Sequence, residues 1–255
     1  MFQSRWVCHA AIPSMERPEQ VKQSRNSLSP RLTQSANPVR LAPLCFGATL
    51  LVTVVLAPTS NIAANTQDNA MEQCFGKDTG QRIDACTMLL DQPISRSERA
   101  LAYAMRALAY SVKGSYQKAL PDYDRAIDLR PDFAIALNNR AWAHYKSGNT
   151  KQGFDDVERS LQLSPRSAHA LDTRAHLKQS EGNTDGAVRD YRSAMTFGGS
   201  RMVRMYQCGL QTAGYFSGPL SGIVSPQLIA ALETCVKSKS CDPLPPDEEC
   251  RRLTS

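Results

Sequence analysis

The chain has 255 residues, 42% of them hydrophobic and 21% charged, a size and composition that suit one or two globular domains. Its net charge is +6, but six of the 30 basic and two of the 24 acidic residues lie in residues 1–64, which leaves 24 against 22 beyond them. That near balance offers no basic stripe, so nucleic acid is excluded as the expected partner.

Residues 1–40 are polar, with Pro13, Pro18, Pro30 and Pro38 scattered through them. No apolar period runs long enough to make a core-facing helix, and the segment reads as a disordered extension or as a start assigned too far upstream. Residues 41–64 differ sharply. Arg40 precedes an uncharged stretch that lasts until Asp68, and the small residues Ala63 and Ala64 follow its apolar run. A basic residue, an apolar core and small residues form a secretory signal, with cleavage expected after Ala64. The alternative is an uncleaved membrane anchor, the one route by which the chain is expected to meet a membrane. Leu44 stands before Cys45, where a lipoprotein site wants a small residue.

The next stretch, 65–99, takes its meaning from the three units that follow it: 100–133, 134–167 and 168–201. In those units Gly114, Gly148 and Gly182 fall 34 residues apart. So do Ala107, Ala141 and Ala175, then Arg106, Arg140 and Arg174, then Asp122, Asp156 and Asp190. Pro131 and Pro165 share a column whose third member is Gly199. A fixed period of this length predicts a solenoid of helical hairpins. In the first unit a helix is expected over roughly 100–113, ended by Gly114. A second is expected over roughly 116–129, stopped ahead of Pro131. Counting back one period from Gly114 and Ala119 gives Gly80 and Ala85, so 65–99 reads as a degenerate fourth hairpin. Cys74 on its first helix and Cys86 on its second are then within reach of a disulfide.

These units resemble the tetratricopeptide repeat family. The first matches at Ala107, Tyr110, Gly114, Tyr116, Ala119, Tyr123, Ala126 and Pro131, the second at Ala141, Gly148 and Pro165, and the third at Ala175, Gly182, Ala187, Tyr191 and Ala194. Gly153 and Ser160 stand where the family has alanines. The resemblance implies an all-α, right-handed solenoid with a concave binding face and no catalysis. In this family the first helix of each unit lines that face. It implies a peptide-binding groove that includes Asn138, Asn139, Trp142, Tyr145, His169, Asp172 and His176. Ala104, Leu108 and Leu101 in the first unit do not support a clamp for a C-terminal carboxylate.

Arginine is unexpected at the column of Arg106, Arg140 and Arg174, which the family usually fills with an apolar residue. A charge in a half-buried seam is costly unless paired. Each arginine precedes an aspartate by sixteen residues: Asp122, Asp156 and Asp190. The expected reading is a recurring ion pair between the two helices of a unit, or with the neighbouring unit. The alternative is an arginine ladder that binds an anion.

Residues 202–235 are expected to form a small helical module. Leu210, Gly214, Tyr215, Gly218, Pro219, Gly222, Pro226, Ala231 and Leu232 resemble the peptidoglycan-binding-like module of bacterial envelope proteins. Ser221, Ser225 and Leu228 depart from its usual aspartate, glycine and threonine. A solenoid cap is the equal alternative. Residues 236–255 form a tail rich in proline and cysteine. Beyond residue 64 the cysteines are Cys74, Cys86, Cys208, Cys235, Cys241 and Cys250, an even set that suggests disulfides in an exported chain. For the last four, Cys208–Cys235 and Cys241–Cys250 is the favoured pairing among three.

No catalytic constellation emerges. His169 and His176 share a helix face, but no His-Glu-x-x-His, phosphate loop or Gly-x-Ser-x-Gly occurs. No cofactor or metal is expected. The sequence therefore reads as a non-catalytic, periplasmic or secreted scaffold that binds a protein or peptide segment. The alternative is a cell-wall protein that binds peptidoglycan through its C-terminal module.

Overall fold

The computed structural model describes residues 68–76, 78–238, 241–244 and 250. The disordered extension and the signal or anchor expected over 1–64 lie outside the described residues. All regular structure among the described residues is helical. Residues 68–75 belong to α1. Thr79–Leu90 is α2, Arg96–Val112 α3, Tyr116–Leu129 α4 and Ala134–Lys146 α5. Thr150–Leu163 is α6, Ala168–Ser180 α7, Thr184–Thr212 α8 and Pro226–Lys237 α9. From α2 onward each helix packs on the next in sequence, and α5 also packs on α3 and α7. This is the all-α solenoid of tetratricopeptide-like hairpins that the 34-residue period predicts. No described helix is long and apolar enough to cross a membrane.

The turns show why the period is so regular. Gly114, Gly148 and Gly182 have φ of 71°, 80° and 81°, a region that only glycine enters without cost. The residue after each donates its N–H back to the first helix: Ser115 to Tyr110 O, Asn149 to His144 O and Asn183 to Lys178 O, each at 2.9 Å. This is the six-residue closure that satisfies orphan carbonyls at a helix end. A fourth copy ends α8, where Tyr215 N donates to Leu210 O at 2.8 Å and Gly214 has φ 80°.

Two boundaries move. The helix expected to start near Ala100 begins at Arg96, because Ser95 and Glu98 cap each other's backbone N–H groups, a reciprocal box that fixes the start. In the degenerate unit Gly80 is not the turn residue. It lies inside α2, which Asp78 caps by accepting from Gly80 N at 2.7 Å. The turn falls earlier than the period predicts, and the Cys74–Cys86 disulfide ties α1 to α2 across it.

The two departures from alanine have local causes. A Cβ on Gly153 would stand 3.0 Å from Leu177 and 3.1 Å from Ala141 O, so a side chain there would require α5 or Leu177 of α7 to give way by a few tenths of an ångström. Ser160 is buried and donates to Ala134 O at 2.8 Å.

At Gly199 the backbone leaves the helix (φ 67°) and α8 breaks into two arms. The second arm acts as a further first helix. Met202, Val203, Tyr206 and Leu210 share one apolar core with repeats 2 and 3, and Phe216, Leu228, Leu232 and Cys235 belong to that core too. A second core runs from α1 to α5. Helix α5 carries residues of both.

The three arginines are the stitching. Arg106 Nε and Nη2 donate to the two oxygens of Asp122 at 2.7 and 2.8 Å. Arg140 makes the same fork with Asp156 at 2.7 and 2.6 Å, and Arg174 with Asp190 at 2.7 and 2.8 Å. The third nitrogen of each reaches the second helix of the preceding unit. Nη1 donates to Thr87 Oγ1 from Arg106, to Asp124 Oδ1 from Arg140 and to Glu158 from Arg174, at 2.9, 2.7 and 3.1 Å. One guanidinium thus joins three helices, a use that its planar fork permits and an ammonium would not. The bond to Asp122 raises Arg106 above the usual guanidinium range; Asp190 does the same for Arg174. For Arg140, burial opposes the charge and Asp156 outweighs it, so the net shift is also upward.

The tail corrects one pairing. The bonds are Cys208–Cys250 and Cys235–Cys241, not Cys208–Cys235 and Cys241–Cys250. Past α9 the chain turns at Ser238, where Cys241 N donates to Ser238 O at 3.1 Å. That turn returns Cys241 to the end of α9 and leaves Cys208 for Cys250.

Two outcomes follow from this packing. Arg140→Leu strands the buried Asp156 carboxylate and should cost about 3 kcal/mol. Adding Asp156→Leu should restore part of the loss. Thermal melts read both, and additive losses would show that the two residues are uncoupled. Reduction should raise hydrogen exchange over 68–90 and 202–244 before it does so in α3–α7, because terminal units have one neighbour only.

Candidate peptide-binding site

The seven residues expected to line a groove all lie on α5 and α7, which pack side by side. They do not form an open trough. Asn138, Asn139, Trp142, Asp172 and His176 are buried, whereas Tyr145 and His169 are half-buried. At the α7 end the reason is visible. The chain beyond α9 folds back across the helix.

His176 is the centre of this contact. Its ring is 3% exposed and sits among aromatic side chains. Trp142 and Tyr191 meet it edge-on, with ring centroids 5.2 Å away in both cases, and Tyr145 stands at 6.0 Å. In its charged state both nitrogens donate. Nδ1 reaches Asp172 O at 2.9 Å and Nε2 reaches Asp242 Oδ1 at 3.1 Å. The Asp172 carboxylate lies 3.6 Å from Nδ1 and also accepts from the Tyr206 hydroxyl. Burial opposes the imidazolium, but Asp172 and Asp242 outweigh it and hold His176 up to about 9. Burial, with Asp172 beside it, pushes the Tyr206 phenol well above its ordinary range.

Gln179 completes the contact one turn on. Its Nε2 donates to Cys241 O at 2.8 Å and to Ser238 O at 3.4 Å, while its Oε1 accepts from Tyr191 at 2.9 Å. Cys241 and Leu244 are buried in the C-terminal core, and Leu244 N donates to Asp242 Oδ1 at 3.1 Å. Asp242 itself is 26% exposed. The arrangement can recognise a carboxylate and two backbone carbonyls of a non-helical chain.

Gln179, Tyr191, Tyr206 and Asp242 were not among the expected site residues. Gln179 had a signal, since it stands one period after Tyr145. Asp242 had none, because it meets His176 across 66 residues of sequence. On the opposite face of α5, burial lowers the His144 ring below its ordinary value, and Asp156 only partly offsets it. His169 and His176 share α7 but join no cluster that could hold a metal among the described residues.

The tetratricopeptide repeat profile matches residues 100–133, the length of one unit. Two solved structures, both described as the crystal structure of MamA, overlay on 54% of this chain at 17% identity. The first has a TM-score of 0.46 and is covered over 81% of its length; the second has 0.45 and 75%. No curated protein matches.

The His176 charge has a pH signature. Facing the ring are Asp172 on α7, Tyr145 on α5, Tyr191 on α8 and Asp242 on the tail, with Tyr206 on Asp172. The folded value is raised from 6.5 to about 9. The stabilisation is therefore complete below pH 6.5 and is lost as pH rises through about 9. The difference in melting temperature between wild type and His176→Gln should shrink over that window. A difference independent of pH would show that the ring carries no charge.

Proposed function

We propose that this chain is a non-catalytic scaffold for protein–protein interaction that acts in the bacterial cell envelope. An extended segment of a protein partner lies along the face built by the first helices of its repeats. The observation that carries this reading is that the face already receives non-helical chain from beyond α9. Ser238 and Cys241 set their backbone carbonyls on Gln179 of α7, and Asp242 sets its carboxylate on His176. Side-chain amides that read a backbone, with a pocket for one residue, are how a groove takes a peptide.

The exported location rests on the cysteines and on the apolar segment 41–64. All six cysteines beyond residue 64 are in disulfides, and such bonds persist in oxidising compartments. The sharing of one core by repeats 2 and 3 with the second arm of α8, with α9 and with Cys241 and Leu244 favours a solenoid cap over an independent glycan-binding module.

Photocrosslinking in the cell envelope tests the surface. A photoreactive residue at Tyr145, on the first-helix face, should capture a protein partner. The same residue at Arg125, on the exposed side of α4, should not. Capture from Arg125 alone would place the partner on the wrong face.

A further inference from the structure

We propose that the His176–Gln179 face of α7 is a carboxylate-selective peptide site, that residues 241–244 are its intramolecular ligand, and that the partner segment presents an aspartate followed by proline. This rests on the reading of the first-helix face as a peptide groove, and it names the chemistry that face selects.

The tail is bound as a ligand would be. Its described contacts with α7 fall into two kinds. Gln179 takes the carbonyls of Ser238 and Cys241, which any sequence offers. His176 takes the Asp242 carboxylate, which only an acidic residue offers. Two residues on, Leu244 supplies an apolar anchor. Pro243 lies between them and has no N–H to satisfy. The receiving side is charged to match, since the His176 cation lies nearly sealed beneath the partly open Asp242. Asp172, fixed by Tyr206, holds the ring from behind.

The attachment is also exchangeable in kind. Cys241 is bonded to Cys235, and Cys250 to Cys208. Both anchors stay bonded when the Asp242 carboxylate leaves His176, so an incoming carboxylate replaces it without any covalent step. The tether keeps Asp242 at a high effective concentration, which makes a free peptide a poor competitor until that side chain is removed.

The probe is a synthetic Ser-Asp-Pro-Leu-Pro-Pro peptide carrying a fluorophore, with its binding to the full, disulfide-intact chain read by anisotropy. Asp242→Asn should bind it about tenfold more tightly than wild type does. A peptide with Asn for Asp should lose that gain, and so should the double variant Asp242→Asn with His176→Gln. Equal binding to wild type and Asp242→Asn would overturn the proposal, as would equal binding of the two peptides or no binding at all. A second measurement needs no variant. Saturating peptide should raise hydrogen exchange at residues 241–244 of the wild type while α7 stays protected, and unchanged exchange there would also overturn it. Partner capture from Tyr145 without peptide exchange would leave the scaffold reading standing and remove this one.

Discussion

One guanidinium per repeat decides how this solenoid stacks. A single hairpin cannot bury its apolar face, so its stability lies in its neighbours. Apolar packing alone tolerates sliding, because it has little directional content. The arginine fork does not tolerate it. Arg140 must meet both oxygens of Asp156 in its own unit and Asp124 in the unit before; a shift of one helical turn between its own two helices would break the first two bonds, and a shift between units the third. Because Asp122, Asp156 and Asp190 are buried and the arginines partly so, the geometry within each unit is enforced by the cost of leaving a charge unpaired, while the reach to the more exposed Asp124 and Glu158 adds a directional link to the unit before. The alternative use of the ladder, to bind an anion, has no room, since each fork already holds a carboxylate.

Fixed stacking has a consequence on the other side of the same helices. With α5 and α7 held at one spacing, Trp142, Tyr145 and His176 come together, and Tyr191 and Tyr206 follow from α8. That cluster makes a dry seat for a charged ring, in which the nearby carboxylates act at low dielectric. The tail then meets a surface made of one cation, one amide and an apolar wall. Rigid stacking, a buried cation and a docked segment form one chain of causes.

The parts of this that were legible in the sequence are those with a local cause. Glycine at three equally spaced turns fixes hairpins. A sixteen-residue gap between Arg106 and Asp122 becomes a contact because two antiparallel helices joined by such a turn bring those positions opposite each other. The reach back to Asp124 and Glu158 has the same sixteen-residue spacing in reverse and was readable by the same logic. Gly80 misled, because a period measured on regular units does not survive in a cap. The seat of Asp242 and the pairing of the last four cysteines were not legible. Each depends on where the chain goes after α9, and the turn at Ser238 that sends it back has no repeat to announce it.

The central claim is that a cation on α7 receives a carboxylate from the chain beyond α9. The most direct measurement is the titration of the His176 imidazole by nitrogen-15 NMR in the wild-type chain and in Asp242→Asn. The account predicts a midpoint near 9 in the wild type and a lower one once the tail carboxylate is gone. A wild-type midpoint at or below the ordinary histidine value of 6.5, unmoved by Asp242→Asn, would contradict it.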